Sequence, residues 1–152
     1  MMEVINQFTG YYSFLSNFYP CKVEYEGDIY PSVEHAYQAA KTFDKSERQK
    51  IRNAKTPGLA KKLGRHVSLR PDWEDIKVTV MLQLLRSKFS QPELKQKLLN
   101  TGDAYLQEGN YWHDTFWGVD LKTGIGKNVL GKLLMKIRDE LRKGNKPVSY
   151  FL

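Results

Sequence analysis

The chain has 152 residues, enough for one domain with its own core. Its formal net charge is +7, from 24 Lys and Arg against 17 Asp and Glu. That favours an anionic partner (phosphate, nucleotide or nucleic acid), although lysines serving only solubility give the same balance. The single Cys21 excludes a disulfide within the chain and any cysteine-based zinc site, and the three histidines show no metal-ligand spacing. No apolar run is long enough to span a membrane, and no charged-then-apolar leader opens the sequence. The expectation is a metal-free, cofactor-free protein of a reducing, cytoplasmic compartment.

The first thirty residues are aromatic and turn-rich. Cys21-Lys-Val-Glu-Tyr25 alternates, Glu26-Gly-Asp28 turns, and Ile29-Tyr30 resumes, which predicts a short hairpin. Pro31-Ser32 opens a first helix that runs to Lys41 or Thr42, with Ser32 as N-cap. A second is predicted from Ser46 to Ala54, capped by Ser46, and a third from Pro57 until Gly64 ends it. A longer amphipathic helix starts at Pro71 or Asp72 and reaches Phe89, and another begins at Gln91-Pro92. Thr101-Gly-Asp103 stops that helix. Ala104 to Glu108 reads as a short strand, Gly109 to Gly126 as a long loop, and Asn128 to Arg142 as the last helix. Val148 to Leu152 reads as a final strand. The prediction is one mostly helical α+β domain over residues 1–152.

Within the first helix Glu34, Gln38 and Lys41 are offset by four and seven residues. At about 100° per residue these offsets return to one helix face. Taken alone, an acid and a lysine at this spacing more often mark a solvated face. The small and aromatic neighbours Val33, Ala36, Tyr37, Ala39 and Ala40 instead suit a buried helix presenting polar groups. Buried ionisable groups are costly unless paired or used.

The segment from Tyr111 to Asn128 is the second concentration of signal. Gly124-x-Gly126-Lys-Asn before a helix could offer amides to an anion, or could simply make a tight turn. Asp114 and Asp120 flank Trp117. They could serve a ribose or act as acid or base while the indole stacks on a base, or they could cap turns beside a core tryptophan. Lys88, near the end of the long helix, reads as ordinary dipole complementarity. His35 reads as a structural histidine.

Several segments in order then resemble one family. They are Phe14-Leu-Ser-Asn-Phe-Tyr-Pro20, Tyr30-Pro-Ser-Val-Glu-His-Ala-Tyr-Gln-Ala-Ala-Lys41, Trp73 with Val80-Met81, and Lys88-Phe89. Leu99-Asn-Thr-Gly-Asp103, Leu106-Gln-Glu108, Asp114-x-x-Trp-Gly118 and Gly126-Lys-Asn-x-Leu-Gly131 follow. From about Phe8 to Leu141 the chain resembles the NADAR, or YbiA-like, family. The resemblance implies an N-glycosidase without cofactor that splits ribose from a base-like amine. The substrates it implies are phosphorylated ribosylamino-pyrimidine intermediates of riboflavin biosynthesis, or ADP-ribose on guanine, including guanine in nucleic acid. It places the catalytic acid and lysine on Glu34 and Lys41, the aspartate on Asp114, and the motif tryptophans on Trp73 and Trp117. Some relatives have a shorter Trp-Gly-Asp-Gly stretch, so the alignment slips by one residue at Asp120. In this reading Asn17 and Gln38 hold hydroxyls or base edges, and Lys127 with the amides near Asn128 takes phosphate. The alternatives are a non-catalytic reader of ADP-ribose or nucleotide with the same pocket, and a nucleic-acid-binding module.

Overall fold

The structure, a computed structural model, describes residues 3–144. The predicted strand at Val148 to Leu152 lies outside the described residues. In chain order the elements are β1 (Val4–Ile5), a 3-10 helix (Gly10–Leu15), β2 (Val23–Tyr25), β3 (Asp28–Tyr30), α1 (Val33–Ala40), α2 (Lys45–Arg52) and α3 (Pro57–Gly64). There follow α4 (Trp73–Lys88), α5 (Pro92–Leu99), β4 (Tyr105–Leu106), β5 (Gly109–Asn110), β6 (Val119–Asp120) and α6 (Val129–Arg142). The chain packs as two compact units, one spanning Asn17–Gln91 and the other combining Met1–Ser16 with Pro92–Leu152.

In the unit Asn17–Gln91, β2 and β3 form the expected antiparallel hairpin, with Val23 opposite Tyr30 and Tyr25 opposite Asp28. Its two turn residues, Glu26 and Gly27, both have positive φ, at 50° and 91°. That is the primed turn whose twist matches the strands. Ser32 caps α1 by accepting the backbone N–H of His35 on its hydroxyl. Thr56 caps α3 in the same way through Leu59. For α2 the cap is Asp44, which accepts from the Glu47 N–H at 2.9 Å, and not Ser46. A carboxylate two residues before the predicted cap takes the role, and the helix begins at Lys45.

Helix α1 packs against α2, α3, α4 and the hairpin, and all eight of its residues are buried. A solvated face is therefore excluded for the Glu34 and Gln38 stripe. His35 is the structural histidine expected. The Ser32 hydroxyl donates to its Nδ1 at 2.7 Å, and its Nε2 donates to the carbonyl of Ala54 at 2.9 Å.

Gly64 departs from its expected role. It is the last residue of α3, and the helix is capped by Arg65 in an ordinary right-handed conformation. What requires glycine is close approach, because a Cβ at this position would sit 1.9 Å from Oε1 of Gln38.

Lys88 also departs from expectation. It is 0% exposed, against the rings of Tyr19 and Phe89, whose centroids lie 5.6 and 5.1 Å from its Nζ. Burial pushes its pKa down from 10.5 to about 8, with Cys21 acting in the opposite sense. Between those two values the unfolded chain binds a proton that the folded chain does not. Stability is therefore expected to rise with pH across that window, by on the order of 3 kcal/mol. Urea unfolding across that range checks this, and Lys88→Met should flatten the rise. An unchanged rise in the variant would assign it to another group.

In the other unit β1 pairs in parallel with β4, and α6 packs on β4 and α5. The predicted strand at 104–108 is shorter than expected, covering Tyr105–Leu106. The predicted long loop holds structure of its own, since β5 and β6 pair in parallel, with Gly109 opposite Val119 and Asn110 opposite Asp120. The link between them is too short for a crossover helix. Side-chain bonds hold it instead. Asn110 accepts the Asp114 N–H on Oδ1 at 3.0 Å and donates from Nδ2 to the Asp114 carbonyl at 3.0 Å. No helix of the described residues is long and apolar enough to cross a membrane.

Candidate functional site

The unit Asn17–Gln91 brings Asn17, Glu34, Gln38, Lys41 and Trp73 together. The backbone N–H of Glu34 donates to the Asn17 carbonyl at 3.0 Å, which ties the Asn17 loop to the first turn of α1. Nε2 of Gln38 donates to Oε2 of Glu34 at 2.6 Å, and the two side chains belong to residues 3% and 7% exposed. This bond orients the carboxylate. Two acceptors remain unsatisfied among the described residues: Oε1 of Gln38 and Oδ1 of Asn17, both buried. Buried acceptors without partners cost free energy, and a bound donor recovers it.

Lys41 ends the stripe as the C-cap of α1 and opens onto a cleft of about 280 Å³. Its walls are Arg65, Val67, Leu69, Trp73 and Glu74, with Gly64 at one side. That volume lies near the lower end of small-molecule pockets, roughly 300–1,000 Å³. Trp73 is buried and packs its ring 5.1 Å from that of Tyr37. The Tyr37 ring in turn lies 5.7 Å from Nζ of Lys41. Burial holds the Lys41 ammonium below the ordinary lysine range. The Glu34 carboxylate opposes that shift, while Lys61, Arg65 and Lys77 add to it. A lysine in this setting releases its proton more readily than a solvated one and so offers a neutral amine.

The other unit carries Asp114, Trp117, Asp120, Lys127 and Asn128. Oδ1 of Asp114 accepts the N–H groups of Phe116 and Trp117 at 3.0 and 2.9 Å. This oxygen caps a turn. Trp117 is half-buried and meets Phe116 edge to face, with centroids 4.9 Å apart. Asp120 is 4% exposed, and both of its oxygens are engaged. Nδ1 of His113 donates to Oδ2 at 2.6 Å, and the Lys122 N–H donates to Oδ1 at 2.9 Å. The His113 hydrogen bond, then that of Lys122, holds this carboxyl below the usual carboxylate range. Its geometry is that of a turn-closing residue.

At the phosphate site expected near Asn128 the polar groups make internal hydrogen bonds. The Asn128 side chain accepts from the Glu108 N–H and donates to the Leu106 carbonyl and the Tyr105 hydroxyl. The amides around the start of α6 are taken by backbone carbonyls. Lys127 donates to Thr115, Asn128 to Gly118, Val129 to Phe116 and Leu130 to Trp117. A Cβ on Gly126 would sit 2.2 Å from the Gly118 carbonyl oxygen. The glycines here permit close backbone packing, which is the tight-turn reading. Lys127 is exposed, with Nζ 5.7 Å from the Phe116 ring centroid. Sequence reasoning missed Arg65 in the cleft wall and the pairing of His113 with Asp120. The only signal for Arg65 was its place one residue beyond the end of α3.

A small helical unit with a buried acid–amide pair and a lysine on the adjoining cleft, in an α+β chain of short strands, defines a recognisable class. The NADAR domain family matches residues 6–142, and the chain belongs to that family. It is similar to the N-glycosidase YbiA of Escherichia coli, at 41% identity over 133 residues, 86% of this chain and 82% of that protein. It is also 42% identical over 135 residues to a riboflavin biosynthesis protein of Vibrio vulnificus. That match covers 87% of this chain and 36% of the Vibrio protein, so the chain spans about a third of that relative's length. The NMR structure of the E. coli protein YbiA superposes with a TM-score of 0.84 at 36% identity, covering 99% of this chain and 92% of that one. The fold class is thus the mostly helical α+β fold expected.

Proposed function

We propose that the chain, acting as a single NADAR domain, is a hydrolase of N-glycosyl bonds that separates ribose from a base-like amine. The observation that carries this reading is the stripe on α1, where Gln38 donates to the Glu34 carboxylate at 2.6 Å and Lys41 opens on the cleft. Breaking a C–N glycosidic bond builds positive charge on the ribose and negative charge on the leaving nitrogen. The buried Glu34 carboxylate suits the first need, either beside C1′ or on a ribose hydroxyl. Lys41, its proton loosened by burial, suits attack on C1′. The amine forms a new C–N bond as the bond to the base breaks, the base leaves with a proton, and water then hydrolyses the Schiff base of the opened sugar. Trp73 offers a face for base or sugar, and Asn17 and Gln38 offer acceptors. What Asp114 and Trp117 do for the substrate rests on the family motif.

The substrate class we favour is a phosphorylated ribosylamino-pyrimidine, supported by the names of the relatives. ADP-ribosylated guanine is the second substrate to assay. Incubation with each and chromatography for the released base tests the reading. No turnover of either by folded protein would sink it. A non-catalytic reader would bind these compounds and leave them intact.

For Lys41 we expect borohydride added during turnover to trap a sugar adduct on the peptide containing residue 41. Lys41→Arg should form no adduct and lose about 10²–10⁴-fold in kcat. Activity should rise with pH and level off below the ordinary lysine range, because the neutral amine reacts. Turnover without any trapped adduct would make Lys41 a proton donor instead.

A further inference from the structure

We propose that Arg65, with Lys61 one turn earlier on α3, forms the subsite for the phosphomonoester of the substrate's ribose. This rests on the N-glycosidase reading above and adds the residues that read the phosphate. At the place expected from the sequence, the amides at the start of α6 and the side chain of Asn128 are committed to internal hydrogen bonds. The cleft beside Lys41 is different. Arg65 lines it, is exposed, and enters no ion pair among the described residues. Other arginines of the same unit are committed, Arg48 to Glu26 at 2.7 Å and Arg70 to Asp72 at 2.7 Å.

The acid in the cleft wall does not oppose a phosphate strongly, since Glu74 is paired with Lys77 at 2.7 Å. Val67, Leu69 and Trp73 supply apolar walls for a sugar. Lys61 lies four residues before Arg65, on the same face of α3. Both cations add to the lowering of the Lys41 pKa. The close approach at Gly64 sets α3 against Gln38 and so delivers the next residue, Arg65, to the cleft. A guanidinium binds two phosphate oxygens with matched geometry, and a lysine one turn away adds a point charge. Phosphate bound there would also cancel part of the positive field on Lys41 and raise its pKa.

The test compares wild type, Arg65→Gln and Lys61→Gln on a phosphorylated riboside and on its dephosphorylated form. Arg65→Gln is expected to raise KM for the phosphorylated substrate about 10–100-fold, a far larger change than for the dephosphorylated substrate. Lys61→Gln should do the same more weakly, and Arg65→Lys should restore part of the loss. Inorganic phosphate should compete with the phosphorylated riboside in wild type and much less in Arg65→Gln. Variants that keep the wild-type preference for phosphate, or lose both substrates equally, would overturn the subsite. Should the wild type turn over neither substrate, the N-glycosidase reading fails by itself. Calorimetric titration with ribose 5-phosphate then decides the subsite, with equal binding by wild type and Arg65→Gln counting against it.

Discussion

Glu34→Gln is expected to lower the rate of base release by about 10²–10⁴-fold while the protein stays folded and binds its ligand. The replacement keeps the volume and one acceptor oxygen, so the bond from Gln38 at 2.6 Å can persist after an amide rotation. What it removes is the negative charge, in a residue only 7% exposed, where electrostatic stabilisation of a developing cation is least screened. Chromatography for released base and calorimetry for ligand binding make the measurement. The result divides the two classes of function. An enzyme loses turnover and keeps ligand, whereas a reader has no turnover to lose. Wild-type rates in Glu34→Gln would remove the carboxylate from the mechanism.

The second large effect is expected at Gly64, which touches no substrate in the proposed mechanism. Gly64→Ala places a methyl 1.9 Å from Oε1 and 2.7 Å from Cδ of Gln38. Gln38 is 3% exposed and has nowhere to swing freely, so it must shift against Glu34 or push α3 away from α1. Overpacking of this kind costs about 1–3 kcal/mol. The gain in helix propensity from Gly to Ala is at most about 1 kcal/mol, so destabilisation wins. Moving the carboxylate or Lys41 by even about 1 Å should cost roughly 10²-fold in kcat. Urea unfolding and kinetics read the two effects. A double-mutant cycle isolates their cause, because Gln38→Ala vacates the space and should let Gly64→Ala recover stability. Additive losses would mean that the methyl is felt elsewhere.

Much of the local structure was legible in the residues. Ser32 caps the helix it was expected to cap, Pro57 opens α3, and Glu26-Gly27 makes the hairpin turn. These are short-range effects, since a hydroxyl three residues from an amide, a fixed φ and a primed turn act within a few residues. The offset of four and seven along α1 likewise fixed which side chains share a face. What the spacing left open was the direction of that face, because a solvated stripe and a buried one have the same periodicity.

Long-range packing answered that question and several others. Only the surrounding of α1 by α2, α3, α4 and the hairpin turns Glu34 and Gln38 into a buried pair. The roles of other residues also depend on partners far along the chain. Gly64 is set by Gln38, Asn128 by Leu106 and Glu108, and Lys88 by Tyr19 and Cys21. A glycine before a helix and a glycine in close contact look alike in sequence, as do a lysine on a helix dipole and a lysine in a core. The sequence by itself determined the helices, the Ser32 cap, the hairpin and the spacing of the acid, amide and amine. The tertiary structure alone decided which of these groups left water. Desolvation depends on every neighbour at once, and it is desolvation that lowers the proton affinity of Lys41 beside the buried Glu34 and Gln38 pair.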